Sequence, residues 1–476
     1  MPFSDRYAPD PRFQALGPEF ADPVRAAEFP DARPRFWNAR AARTVGLETL
    51  DAEEQTRHFA RFEALPANQP EPLAMRYHGH QFRVYNPDLG DGRGFLFAQL
   101  REAETARLLD FGTKGSGRTP WSRGGDGRLT LKGGVREVLA TAMLEALGAP
   151  TSRSFALFET GEALERNDEP SPTRGAVLTR LSHSHIRFGS FQRHAALARP
   201  DLIQTLLDHV IAVYYPELET AENRAAALLS AVATKSAHLA ARWMTAGFVH
   251  GVLNTDNMNI NGESFDYGPY RFLPRNDPNF VAAYFDSGGL YSFGRQPEAV
   301  FWNLRQLAGA LSPISAAEPL VEALNGFAAA YRSELTAAML ARLGVAPRGE
   351  EFDLDLINTA FRALADGGDA LRWEPFFFDW YGGAASEARA MSGVRSGLYG
   401  GDAFVAFRSL LGSYSSAPGV DLASDYFNRP EPEELLYDEI ESIWSAIAER
   451  DDWTPFEAKL DGIEAARKGW NYSPFA

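Results

Sequence analysis

At 476 residues, with 45% hydrophobic and 23% charged side chains, the chain has an ordinary soluble composition and room for about two to four domains. Its net charge of −16 argues against a general nucleic-acid binder, which needs a basic footprint. No apolar run is long enough to span a bilayer, the start MPFSDRYAPDPRF lacks a signal-peptide pattern, and the absence of cysteine removes disulfides, thiolate zinc sites and cysteine nucleophiles together.

Residues 1–75, rich in Pro and Ala, predict an arm that wraps a later domain, with a short helix near 51–64. The stretch 76–100 changes character: the turn N86-P-D-L-G90-D-G92-R93-G94 precedes the apolar run F95-L-F-A, a strand–turn–strand signal. A second Gly-rich turn follows at G112-T-K114-G-S-G117. Residues 133–148 read as a helix, with Val135, Val138, Leu139, Ala142 and Ala146 in step, Gly148 as its stop, and Glu137 opposite the apolar stripe. Strands are predicted at 154–158 and 175–181, helices from 201 and over 225–247, a short strand at 280–285, and a late helix over 433–449. The outline is α+β: a strand-rich half to about 185, then a helical half and a helical tail. A two-lobed nucleotide enzyme with its site between the lobes has this arrangement.

Chemistry concentrates in four places. The island 112–136 carries a surplus of five positive charges in 25 residues, with glycines at 112, 115, 117, 124, 125 and 127 that let the backbone come close to a ligand. Backbone N–H groups with Lys and Arg suit phosphate oxygens, although a solvated basic loop has the same composition, and KGSGRT is not a Walker A motif. Only five of the 47 basic residues are lysine, which makes Lys114 conspicuous. Glu137, 23 residues later, is spaced like the helix glutamate that holds a kinase lysine toward phosphate, or like any helix glutamate facing water. Arg180 and Arg187 could clamp a polyphosphate. The nearby His183 and His185 read better as hydrogen-bonding residues than as metal ligands, and so do His78 and His80, which have no nearby carboxylate to complete a site.

The fourth place is HGVLNTDNMNINGESFDYGPY, residues 250–270. Asn257 and Asp266, the latter in a DYG that resembles DFG, match the amide and carboxylate that hold Mg²⁺ in kinases. Aligned on His250 and Asn257, the kinase base position is occupied by Val252, yet Asp256 stands beside Asn257. The segment reads as a kinase loop with its base moved. A surface loop of turn residues is the plain alternative.

Taken together, HGHQFRVYNPDLGDGRG, KGSGRTPWSRGGDGR, VREVLA, SHSHIRFGSF, FVHGVLNTDNM, DYGPYRFL and QPEAVFWNLRQLA, in order over residues 78–308, resemble the selenoprotein O family, called YdiU-type in bacteria, of protein kinase-like pseudokinases. The resemblance implies a two-lobed kinase-like fold with an N-terminal arm (1–75), a strand-rich lobe (76–185), a helical lobe (186–345) and a helical C-terminal region (346–476). It implies transfer of AMP from ATP to protein Ser, Thr or Tyr hydroxyls, with the nucleotide inverted relative to kinases. On that reading Asp256 is the base, and Asn257 and Asp266 hold Mg²⁺ or Mn²⁺. Lys114 and Glu137 pair at phosphate, Arg180 and Arg187 take the terminal phosphates, and Gly90, Gly92, Arg93, Asp126 and Gly127 line the nucleotide pocket. Protein substrates, a bacterial cytoplasmic setting, and no nucleic-acid or membrane partner are the matching expectations.

The chain departs from the family in KGSG for KGAG, in HGHQFRVYNP for SGHQFGGWNP, and in AAYFDSGGLYSF for an NHSD-type stretch. These changes bear on the acceptor surface more than on the chemistry. The C-terminal NYSPFA has no cysteine, so the redox switch suggested for cysteine-bearing members has no residue there. Two alternatives stand beside AMP transfer: a kinase moving the γ-phosphate, since HGxLxxxN also fits small-molecule phosphotransferases, and a non-catalytic ATP-binding scaffold, in which Asp256 would have no task.

Overall fold

The computed structural model describes residues 3–167 and 169–472; Asp168 and 473–476, most of the C-terminal NYSPFA, lie outside the described residues. The strands, in chain order, are β1 (Ala21–Pro23), β2 (Arg33–Trp37), β3 (Leu73–Met75), the separate hairpin β4 (Gly79–Gln81) and β5 (Val84–Asn86), then β6 (Leu96–Arg101), β7 (Leu108–Lys114), β8 (Leu129–Thr130), β9 (Arg153–Leu164) and β10 (Thr173–Ser182). All but the hairpin join one antiparallel sheet in the order β1-β3-β6-β7-β10-β9-β2, with β8 also paired to β10. β7 is buried along its whole length, as expected for a central strand covered on both faces.

The segment before residue 40 supplies both outer strands. Pro34 sits in β2, at the sheet edge, where a missing N–H costs no ladder bond. Helices α1 (Ala39–Thr44) and α2 (Ala52–Phe59) cover one face of the sheet through Phe59, Phe97, Phe111 and Phe155. α2 opens with a capping box between Asp51 and Glu54. The other face carries α3 (Leu131–Ala146), capped by Thr130, whose hydroxyl accepts the Gly133 N–H at 3.1 Å. Gly148 takes the left-handed conformation just past the end of α3 (φ 74°).

The chain then becomes helical: α4 (Phe188–Ala196), α5 (Pro200–Tyr214) and α6 (Arg224–Thr245), a two-strand ladder of β11 (Phe248–Val249) with β12 (Arg271–Phe272), then α7 (Gln296–Leu311), α8 (Ala317–Asn325) and α9 (Phe327–Leu343). The tail holds α10 (Glu350–Asp366), α11 (Trp373–Trp380), α12 (Glu387–Ser392), α13 (Asp402–Leu411), α14 (Tyr437–Arg450) and α15 (Thr454–Trp470). α14 and α15 return to pack on α3. The fold is therefore α+β, an antiparallel sheet followed by helices. Among the described residues no helix is long and apolar enough to cross a membrane.

Two sequence expectations are corrected. The run 280–285 forms turns, not a strand. No sheet edge receives it; Asp286 instead accepts the Leu290 and Tyr291 N–H groups at 2.9 and 2.8 Å, which folds the segment back on itself. Glu137 does not face water opposite an apolar stripe. α3 lies between the sheet and α15, so nearly every side of it is covered and Glu137 is fully buried.

Candidate active site

Lys114 ends β7 and Arg180 lies on the neighbouring β10, where its ladder partner is Gly112. The two side chains share a face because residues 112 and 114 do. α3 places Glu137 against them. Lys114 Nζ pairs with Glu137 Oε1 and lies 2.6 Å from Asp266 Oδ1; Arg180 Nη1 is 3.5 Å from the same Asp266 oxygen and 4.0 Å from Glu137 Oε2. Burial alone would raise the Asp266 pKa. Lys114, then Arg180, Arg93 and Arg187, outweigh it and hold the carboxyl well below the usual range.

The segment 250–270 is pinned at both ends by the β11–β12 ladder. His250 is fully buried; its backbone N–H donates to Gln296 Oε1 and its Nε2 meets the Phe265 carbonyl, both at 3.0 Å. Residues Thr255–Asn257 make one 3₁₀ turn. The Asn257 amide nitrogen donates to the Val252 carbonyl at 3.0 Å, which leaves its oxygen free for a cation. Asp266 sits in the left-handed region (φ 64°), which aspartate tolerates better than branched residues. Asp256 is 8% exposed, its Oδ1 is buried with no hydrogen-bond partner among the described residues, and burial pushes its pKa up to about 6 against the attraction of Arg187.

Two loops close the site from the sheet side. The Gly115 N–H donates to the Arg93 carbonyl at 2.6 Å, Thr119 Oγ1 to Asp91 O at 2.6 Å, and Ser122 Oγ to Gly92 O at 2.5 Å. A Cβ on Gly90 would lie 2.3 Å from the Trp121 ring, and one on Gly127 (φ 71°) 2.2 Å from the Gly117 carbonyl oxygen. These glycines let the two loops interlock. Asp126 accepts the Arg128 N–H at 3.0 Å and pairs with Arg166 at 2.7 Å.

Eleven of the twelve residues singled out in the sequence line one cavity of about 420 Å³: Gly90, Gly92, Arg93, Lys114, Asp126, Gly127, Arg180, Arg187, Asp256, Asn257 and Asp266. The twelfth, Glu137, stands behind Lys114. Seven Arg and Lys side chains in this lining face four aspartates. Arg187 is more engaged than a free phosphate clamp: it lies 4.5 Å from the Tyr77 ring and 4.9 Å from Phe265, donates to Asp91 Oδ1 at 3.2 Å and to the Asp256 carbonyl at 3.0 Å. Asp91 and Tyr77 were missed in the sequence. Asp91 lies inside the G90-D-G92 turn, and its charge between two glycines was the available signal.

The four histidines have local partners. His183 Nδ1 meets Leu108 O, His78 Nδ1 the Tyr85 hydroxyl and His80 Nδ1 the Gln192 amide; His185 donates its backbone N–H to Asp110. Burial pulls the pKa of His78 and His183 down to about 4. Among the described residues no group of three His, Asp or Glu side chains is placed to hold a metal. Asn257 and Asp266 still suit a hard cation whose remaining ligands are phosphate oxygens and water, and the orphaned Asp256 oxygen beside them fits a site completed by a ligand.

A cation surplus of this kind suits a polyphosphate substrate, and the protein's relatives handle nucleotides. The family model described as protein adenylyltransferase SelO matches residues 5–464. Proteins named protein nucleotidyltransferase YdiU are similar along most of their length. The one from Gloeobacter violaceus is 47% identical over 462 residues, covering 94% of this chain and 93% of that protein. The one from Synechocystis is 44% identical over 478 residues, covering 96% and 98%; the one from Vibrio cholerae is 39% identical over 355 residues, covering 75% and 71%. The chain belongs to the SelO family of protein adenylyltransferases, and it is a nucleotidyltransferase.

Proposed function

We propose that the chain transfers AMP from ATP to Ser, Thr or Tyr hydroxyls of proteins, with release of pyrophosphate, in the bacterial cytoplasm. The observation that carries this reading is Asp256: a buried carboxylate with an unpartnered oxygen and a pKa near 6, in the same cavity as Asn257 and Asp266, while Val252 fills the kinase base position. A general base works best with a pKa near the working pH. Asp256 takes the proton of the acceptor hydroxyl as its oxygen bonds to the α-phosphorus, and the bond from that phosphorus to pyrophosphate breaks.

The cationic wall of Arg93, Lys114, Arg180 and Arg187 binds the polyphosphate, and Glu137 keeps Lys114 aimed into the cavity. Asn257 and Asp266 would hold Mg²⁺ or Mn²⁺, which supplies neutralisation of phosphate charge when bound. In the same reading the sheet and the helices after it are the two lobes of a protein kinase-like fold. Its parts are an N-terminal extension to 75, a strand-rich lobe over 76–185, a helical lobe over 186–345 and a helical extension over 346–476. The site's position, between the sheet loops and the 250–270 segment, supports this.

Parallel incubations with [α-³²P]ATP and [γ-³²P]ATP, with Mg²⁺ or Mn²⁺ and a casein-like acceptor, test the proposal. Label from the α position alone, lost in Asp266→Ala, is the expected result. Acceptor label from the γ position would instead make the chain a kinase.

A further inference from the structure

The turn of the β4–β5 hairpin is bulky where such turns are usually small. Phe82 (φ 49°) and Arg83 (φ 65°) both take the left-handed region, which Asn and Gly fill in most two-residue hairpins. Contacts outside the hairpin hold them there. The Phe82 N–H donates to Asn254 Oδ1 at 3.0 Å, and Arg83 pairs with Glu298 at 3.1 Å. Strain of this kind gathers at functional sites. The hairpin is also seated on the turn that carries Asp256: the His80 N–H donates to Thr255 Oγ1 at 2.7 Å, and a Cβ on Gly79 would lie 3.4 Å from Asp256 Cβ.

The folded-back segment around Asp286 reaches the same asparagine. The Tyr291 hydroxyl donates to Asn254 Oδ1 at 2.9 Å, and its ring lies 5.1 Å from that of Phe82. Phe285 lies 5.9 Å from Phe82, and Tyr284 5.1 Å from Phe285. The two stretches in which the sequence departs from the family pattern thus meet in one aromatic ledge. Its outer side chains stand in solvent: Tyr284 is 84% exposed, Val84, on the hairpin, 70%, and Phe285 49%. Exposed apolar side chains that are grouped, not scattered, mark an interaction surface. Gln81, next to Phe82, and Asn254 both line the nucleotide cavity. The ledge is therefore continuous with the place to which a protein adenylyltransferase must bring its acceptor.

We propose that this ledge selects the acceptor: it holds a large apolar side chain of an extended substrate segment, within about three residues of the hydroxyl presented to Asp256. The inference rests on the protein-acceptor part of the reading above, and not on which phosphate is transferred.

Fluorescence anisotropy of the full chain with two fluorescein-labelled serine peptides tests it. One peptide has leucines flanking the serine on both sides, and the other has asparagines in their place. The leucine peptide is expected to bind about tenfold or more tighter. That preference should fall below about twofold in Tyr284→Ser and in Phe285→Ser. Tyr284 is so exposed that its substitution costs the fold little, and melting curves check both variants. Transfer of α- and γ-label to the same peptides is read in parallel. Label from the γ position alone overturns AMP transfer and leaves the ledge to be judged on anisotropy. The ledge proposal is overturned if wild type binds the two peptides alike or binds neither, or if both variants keep the preference. It is also overturned if wild type sediments as a dimer and Tyr284→Ser as a monomer, since a second copy of the chain then occupies the ledge.

Discussion

Lys114–Glu137–Asp266 and Arg342–Glu374 are both cation–carboxylate groups taken out of water, and they differ in what surrounds them. Arg342 is 1% exposed, pairs with Glu374 Oε2 at 2.6 Å, and has its guanidinium 4.4 Å from the Phe377 ring and 5.1 Å from Trp470. Aromatic rings close over it. The Lys114 group opens onto a cavity where cations outnumber carboxylates and one carboxylate, Asp256, keeps an unpaired oxygen. Buried charge is therefore not a mark of function in this molecule. Nor is an orphaned oxygen, since Glu374 Oε1 is also buried with no hydrogen-bond partner among the described residues; surplus charge turned toward a cavity is the better mark.

Substitutions should separate the two groups. Asp266→Ala is expected to reduce AMP transfer by at least about 100-fold, measured as α-label incorporation per folded molecule. Arg342→Met should leave that specific activity near wild type and lower stability by about 3 kcal/mol, because it strands the buried Glu374 carboxyl. Urea unfolding read beside the activity assay checks both. Loss of specific activity in Arg342→Met would erase the distinction between the two groups.

A smaller effect sharpens the contrast inside the cavity itself. Asp256 has its folded pKa raised to about 6, so the folded state holds the proton more tightly than the unfolded chain does. Stability is then lost as pH rises from about 4 to 6, and Asp256→Asn should stabilise the ligand-free protein above pH 6 by on the order of 2 kcal/mol. Asp266 has its pKa depressed, so its contribution is present at neutral pH and lost as pH falls below the usual carboxylate range. Asp266→Asn should accordingly destabilise at pH 7.5. Melting curves of both variants at pH 7.5 and pH 4 read the two signs, and transfer activity of the wild type should rise with pH through about 6. Opposite signs for the two aspartates are what a buried unpartnered carboxylate beside an ion-paired one predicts.

Much of this arrangement was legible in the sequence where chemistry constrains spacing. Lys114, Glu137, Asn257 and Asp266 stand at separations that a metal and phosphate site would require, and the fold brings them together. α5 and α6 show in their helical period because one face of each is buried. Other features rest on contacts distant in the chain. α3 is covered by α15, more than 300 residues later, while Glu137 itself turns to Lys114 and Arg180 on the sheet. Arg187 finds Asp91 across 96 residues. β1 and β2 are short and carry proline, so no alternating pattern announces them as sheet edges. The run 280–285 has the composition of a strand and no partner edge to receive it.

The smallest effect concerns that distant closure. Lys132, in the first turn of α3, meets Glu441 of α14 at 2.7 Å, with side chains 21% and 32% exposed. A half-solvated single contact of this kind contributes at most about 1 kcal/mol and weakens as salt is added. Lys132→Ala should therefore lower the melting temperature only slightly, and the difference should shrink at high ionic strength. The pair nevertheless ties the C-terminal helices to the helix that carries Glu137. If it only tethers, Lys132→Ala and Glu441→Ala each leave transfer activity unchanged. If it also positions α3, both lower activity to the same extent, the double variant is no worse than either, and Asp256→Asn melts as before in that background. A double-mutant cycle on activity and on stability distinguishes the two, and the second result would bring the tail into the working part of the molecule.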